Sequence, residues 1–286
     1  MLCVSLVLAV LTAFAVPPDW AYFSYPDYRT LALLFCLMLI VAGFRSLGVF
    51  QRLGGWLLRR AGGFRGLSFA LTLLCFFSSM VITNDVTLIT FVPFTLLVTR
   101  GVSRKGSVLS LVVFETIAAN LGSMMTPIGN PQNLYLYMSR GLALGDFVQT
   151  LLPYALVSYI LLALGTLLLP AQRRETAQES APALARDRLV LYLVLLAVCL
   201  LSVLKVLPAW VAAVVVALAV ALRQPDLLGK VDWALLATFL CFFVFVGNVK
   251  AAPVVSQTLE QLLTGRETLV AVVCSQVISN VPTTIL

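Results

Sequence analysis

Apolar runs of membrane-crossing length recur along the chain, separated by short connections that hold most of its charge. A helix that crosses the hydrocarbon needs roughly 20 apolar residues. The pattern predicts spans at 2–16, 28–44, 147–169, 188–204, 207–222 and 231–249, and a broken helix at 108–138. Two further apolar stretches behave differently. Residues 66–97 are too long for one span and are interrupted by Thr83-Asn84-Asp85, while residues 267–286 run into Ser279-Asn280-Val281-Pro282. The first run ends in Ala13-Phe14-Ala15, which resembles a leader-cleavage site. No basic stretch precedes it and the next span follows closely, so a retained first helix is expected.

Charge placement decides whether 66–97 crosses the bilayer. Arg45, Arg52, Arg59, Arg60 and Arg65 lie before it, and Arg100, Arg104 and Lys105 lie after it. Basic connections stay on the cytoplasmic side, so a segment with basic flanks at both ends enters and leaves on one face, as a re-entrant hairpin. Arg173, Arg174, Arg186, Arg188, Arg223 and Lys230 fall on the same side. That makes 14 of the 19 Lys and Arg, leaving Arg29, Arg140, Lys205, Lys250 and Arg266 opposite. The N-terminus is therefore expected in the cytoplasm of a multi-pass protein of the inner (plasma) membrane.

An internal repeat emerges from the order of parts. Asp27-Tyr28-Arg29 opens a span ending near Gly43, followed by an amphipathic stretch at 46–60 and the Thr83-Asn84 hairpin. Asp232-Trp233 opens a span ending at Gly247, followed by an amphipathic stretch at 251–264 and Ser279-Asn280. Five crossings separate the two starts, so the copies enter from opposite faces, as in many secondary transporters. Residues 1–169 form the first repeat, 170–187 a cytoplasmic linker, and 188–286 an incomplete second repeat that stops inside its hairpin. The expected fold class is all-α integral membrane, with an inverted-topology repeat, re-entrant hairpins and a broken transmembrane helix.

Composition agrees and removes rival classes. The chain of 286 residues is 61% hydrophobic and 11% charged, with a mean hydropathy of +1.03, where soluble domains carry about 25% charge. The net charge of +7 lies in loops between spans, which argues against nucleic acid as a partner. Six cysteines fall in apolar stretches without metal-ligand spacing, and His is absent. Carboxylates are left as the proton carriers. No Ser-Lys or paired-Asp pattern suggests an intramembrane enzyme.

Non-helical backbone at membrane depth persists only where it lines an enclosed cavity or binds something, and three places qualify. At the tip Thr83-Asn84-Asp85-Val86-Thr87, amide and hydroxyl groups meet the positive end of the following helix. Asp85 is a functional carboxylate as well as an N-cap, or an N-cap alone. The segment from Gly122 to Asn133 contains Thr126, Pro127, Gly129, Asn130 and Pro131; its two prolines remove N–H groups and should leave bare carbonyls suited to a hard cation such as Na⁺. The third place, Ser279-Asn280-Val281-Pro282-Thr283-Thr284, is the repeat partner of the first. Glu115, inside the span before the break, is either a proton-relay carboxylate or the partner of a nearby polar backbone group. Arg45 and Lys250 read as interfacial anchors, and Lys205 with Pro208 as a tight turn.

The motifs Thr83-Asn84-Asp85, Gly122 through Asn133 and Ser275 through Pro282 resemble the ion transporter superfamily of arsenite permeases, NhaD-type Na⁺/H⁺ antiporters, citrate transporters and divalent-anion/Na⁺ symporters. They look most like the YbiR-type bacterial inner-membrane permeases. The resemblance implies that Asn84 and Asn280 sit at two hairpin tips, and that Thr83, Gly129, Asn130 and Ser279 help form cation sites. It also implies secondary transport of a small anion (a carboxylate, arsenite or an inorganic oxyanion), with Na⁺/H⁺ antiport as the alternative. The substrate or ion set is then Thr83, Asn84, Asp85, Thr87, Thr126, Gly129, Asn130, Asn133, Ser279, Asn280 and Thr283. No cofactor is expected beyond Na⁺ or H⁺ as coupling ion. The partners are the lipid bilayer and the solute, with a homodimer among the assemblies left open. Asp85 stands where the symporters carry Thr, which favours cation or proton handling. The family pattern continues past Leu286, so a fragment that does not transport alone is expected.

Overall fold

The computed structural model describes residues 2–49, 52, 63–99, 105–170, 185–252, 265–278 and 284. All regular structure among them is helical: α1 (Leu2–Ala15), α2 (Tyr28–Ser46), α3 (Phe64–Ser78), α4 (Asn84–Val98), α5 (Lys105–Ser123), α6 (Pro131–Ser139), α7 (Leu144–Leu167), α8 (Arg186–Val203), α9 (Ala209–Arg223), α10 (Trp233–Ala251) and α11 (Glu267–Ile278), with two short 3₁₀ turns. By length and composition, Tyr28–Ser46, Gly106–Ser123, Leu144–Leu167 and Trp233–Ala251 are long and apolar enough to cross a membrane. The all-α membrane class expected from the apolar pattern is thus the one observed.

The bundle is apolar on the outside as well as inside. Leu156, Ile160, Leu161 and Leu164 of α7 and Val190 and Val194 of α8 stand exposed. Such a surface is stable only against lipid.

At the centre lies α2, whose Leu33, Leu34, Cys36, Leu37, Leu39 and Ile40 are all buried. Its start is fixed by Asp27, whose carboxylate accepts from the backbone N–H of Arg29 and Thr30 and from the Thr30 hydroxyl at 2.7 Å. Asp232 caps α10 in the same manner, accepting from Leu235 N–H at 2.8 Å. Caps of this kind satisfy amides that the helix leaves without partners.

Helices α8 and α9 pack on α2, while α3, α4, α5 and α7 pack on one another. Helix α1 lies along α10, and Asn248 Nδ2 donates to Thr12 Oγ1 at 3.2 Å near the C-terminal ends of both, so the two run parallel. Tyr25, just before α2, packs on Gly247 near the end of α10, and Phe35 of α2 stacks 5.7 Å from Trp233 at its start. Helices α2 and α10 therefore run in opposite directions. The Lys205 turn also does more than reverse the chain: its ammonium donates to the Leu142 carbonyl at 2.8 Å and lies 4.7 Å from the centre of the Tyr137 ring.

Candidate functional site: a hairpin tip docked on a broken helix

Each hairpin arm, α3 and α4, has 15 residues. At 1.5 Å per residue that is about 22 Å, short of the about 30 Å of hydrocarbon. The arms pack on each other and are joined by the non-helical residues 79–83. Opposite this tip, α5 ends at Ser123 and α6 begins at Pro131, with 124–130 unwound. The break falls at Pro127, Gly129 and Pro131, because proline cannot continue the hydrogen-bond ladder and Pro131 is suited to a first helical position.

Tip and break are bound together by several contacts. The Asn84 backbone N–H donates to the Gly129 carbonyl at 3.2 Å. Asn84 Nδ2 donates to Asn120 Oδ1 at 3.0 Å, and Asn120 Nδ2 donates onward to the Thr116 carbonyl at 2.9 Å. The Thr126 hydroxyl donates to the Met80 carbonyl. Two glycines allow close backbone contacts here, Gly122 against the hairpin and Gly129 within the break. A Cβ on Gly122 would lie 2.0 Å from the Phe76 carbonyl oxygen, and one on Gly129 would lie 2.1 Å from that of Ser123.

Several carbonyls at the break are not left bare, contrary to expectation. Asn133 Nδ2 sits within hydrogen-bond distance of the carbonyls of Ser123 (3.2 Å), Met124 (2.9 Å) and Thr126 (3.2 Å). Asn130 caps α6, its Oδ1 accepting from Asn133 N–H at 2.9 Å, while its Nδ2 donates to Ser123 Oγ at 3.2 Å. Both asparagines are buried. They hold the unwound segment in shape, because backbone groups deprived of helix and water must find side-chain partners.

A cavity of about 620 Å³ leads to this junction. It is lined by Leu34, Leu37, Met38, Val41, Arg45 and Ser46 of α2, by Thr83, Asp85, Val86 and Ile89 at the tip, by Pro131, and by Lys230, Asp232 and Leu235 before and within α10. Its charged lining is balanced, with Arg45 and Lys230 set against Asp85 and Asp232. Asp85 lies exposed in the first turn of a helix that starts at Asn84, so it is beyond the N-cap position and faces the cavity.

The structure thus brings Thr83 and Asp85 to the cavity wall, and it places Asn84, Thr126, Gly129, Asn130 and Asn133 in the docking of tip on break. Thr87 and Glu115 are buried within the hairpin and α5 and do not line the cavity. Ser279, Asn280 and Thr283 lie outside the described residues. Arg45, Lys230 and Asp232 join the site without any sequence motif to announce them. Arg45 reads from sequence as an interfacial anchor, and only a second basic loop could have suggested a shared rim.

A short hairpin docked against a broken helix, at the end of a cavity inside an apolar bundle, defines a membrane transporter. The chain belongs to the citrate transporter family, whose profile matches residues 1–286. It is 32% identical to the inner membrane protein YbiR of Escherichia coli K12, an alignment covering all of this chain and 77% of that protein. It is 27% identical to an uncharacterised transporter of Methanocaldococcus jannaschii, over 92% of this chain and 72% of the relative. Over 48% of this chain and 28% of the relative, it is 32% identical to the silicon efflux transporter LSI3 of Oryza sativa subsp. japonica. The protein is a multi-pass plasma-membrane transporter and not an enzyme.

Proposed function

We propose that the protein is a secondary active transporter of a small anion, such as a carboxylate, arsenite or an inorganic oxyanion, coupled to Na⁺ or H⁺. The cavity carries this reading. Arg45 and Lys230 supply it with two cations that an anion can approach, beside the carboxylates of Asp85 and Asp232, and it reaches the first turn of α4. There the N–H groups of Asp85 and Val86 have no partner within the helix, and the positive end of the dipole points at the solute. The family's name supports a carboxylate, and the relative named for silicon efflux supports a small solute. In this reading the basic side faces the cytoplasm, the cavity opens inward, and the N-terminus is cytoplasmic. Thr83, Asn84, Asp85, Thr126, Gly129 and Asn130 form one half of the site, and Ser279, Asn280 and Thr283 form the other. The two halves of the chain are inverted repeats.

One observation favours Na⁺/H⁺ exchange as the second reading. Asp85 and Asp232, from different helices, share the cavity, and paired carboxylates suit a cation or proton. Transport by the full-length protein in proteoliposomes, tested with oxyanions, carboxylates and Na⁺/H⁺ gradients, separates the two. The anion reading expects solute accumulation against its own gradient, abolished when the ion gradient is dissipated. Na⁺/H⁺ exchange with no anion moved would sink it, and flux indifferent to every ion gradient would mean a channel.

Asp85→Asn gives a separate expectation. Removing a carboxylate that handles the coupling ion should flatten the pH profile of flux, while thermal stability stays near wild type. An unchanged profile would leave Asp85 as a bystander in the cavity wall.

A further inference from the structure

Away from the cavity, the interior of the hairpin holds a second polar cluster. Glu115, near the middle of α5, has 0% of its surface exposed. Its Oε1 accepts from the hydroxyl of Thr95 on α4, itself fully buried. Its Oε2 has no partner, and neither do the buried hydroxyls of Thr72 on α3 and of Thr87 and Thr90 on α4. Native interiors rarely leave one such atom unpaired, and helices α3, α4 and α5 together hold four.

The surroundings narrow what satisfies Oε2. From α3, Cys75 is the titratable group facing Glu115; Arg65, at the start of that helix, is engaged with the Leu169 carbonyl at 2.8 Å. From α4 comes Thr95, while Asp85 faces the cavity instead. Helix α7 meets α5 through Gly165 against Phe114. Its Tyr159 packs on Phe76 and Phe77, its Tyr154 is exposed, and Asp146 lies in its first turn, at the far end. No cation pairs with Glu115 among the described residues. An ionised carboxylate would thus be a desolvated charge with a single hydroxyl donor, whereas a proton on Oε2 removes that charge.

A stripe of buried residues also runs from the site toward the basic-side end of α4. Thr87, Phe91, Thr95 and Thr99 follow at four-residue spacing on α4 and are all buried, forming one stripe. Thr99, just past the basic-side end of α4, donates to the Thr95 carbonyl at 2.6 Å.

We propose that Glu115 is a proton-binding site between the hairpin and α5, held by Thr95 and served from the basic side along the Thr95–Thr99 edge, and that its proton is exchanged during transport in addition to any ion handled at Asp85. The first half stands on the cluster itself; the second rests on the transport reading above. Uptake forms an O–H bond at Oε2 with a proton from water on the basic side and cancels the carboxylate charge. Release reverses this as the hairpin loosens from α5.

Infrared difference spectra of the whole chain in lipid nanodiscs, between mildly acidic and mildly alkaline buffers, read the site without any solute. The wild type should show the band of a neutral carboxyl that titrates in one step, and Glu115→Gln should lack it at unchanged thermal stability. Thr95→Val should move its midpoint by roughly one pH unit, the scale of one strong hydrogen bond to a carboxylate. A spectrum identical in wild type and Glu115→Gln would overturn the site. So would a band displaced by Na⁺ at constant pH, which would indicate a metal cation in place of the proton. An unmoved midpoint in Thr95→Val would overturn the pairing. In proteoliposomes of the full-length protein, flux that keeps an unchanged pH profile in Glu115→Gln would overturn the coupling alone, and full-length wild type moving no solute would fault the transport reading while the spectra stand.

Discussion

Replacing Asn84 by alanine should cut solute flux by roughly tenfold, the effect of losing one hydrogen bond worth about 0.5–1.5 kcal/mol between tip and α5. The side chain donates to Asn120 at 3.0 Å, which in turn donates to the Thr116 carbonyl. Alanine removes the first bond and leaves the exposed Asn120 oxygen without its partner at the tip. The fold should survive, because the Asn84 backbone N–H still reaches the Gly129 carbonyl and the apolar packing of α3 and α4 is untouched. Initial rates in proteoliposomes, measured beside thermal melts in the same detergent, check both halves. Wild-type flux from a correctly folded variant would remove the hairpin tip from the mechanism.

The second large effect is on stability. Gly122→Val forces a branched side chain into a place where a bare Cβ already meets the Phe76 carbonyl oxygen at 2.0 Å and Ser79 Oγ at 2.6 Å. The nearest obstacle is backbone, which cannot swing aside, so the cost should reach about 3 kcal/mol, the upper range for overpacking. For a chain of this size that lowers the melting temperature by about 5 °C. Gly145, where an added Cβ would meet nothing within 4 Å, supplies the control: Gly145→Ala should melt near wild type. Equal melting of the two variants would mean that the hairpin does not dock on α5 as described.

The parts of this molecule legible in its sequence are those set by local physics. Long apolar runs specify spans because lipid demands them. Pro127, Gly129 and Pro131 specify the break because their backbones cannot hold a helix. Basic flanks and an interrupting Thr83-Asn84 mark the hairpin. Properties that depend on how helices meet are not legible there. Arg45 reads as an interfacial anchor until α2 is seen beside the start of α10, where Lys230 and Asp232 join it around one cavity. Asn133 reads as a ligand, yet three carbonyls of the break already claim its amide. Thr95 gives no sign of its pairing with Glu115, since a threonine in a helix ordinarily bonds its own preceding turn.

The short arms of the hairpin have an electrical consequence. With water in the cavity, the potential on the basic side extends inward to the tip, about 22 Å along arms of 15 residues, leaving about 8 Å of the 30 Å hydrocarbon as insulator. The full membrane voltage then falls across that thin septum, and a unit charge crossing it there gains or loses about 2.3 kcal/mol per 100 mV. Voltage sensitivity should therefore concentrate in the step past the tip, and hardly at all in entry from the basic side.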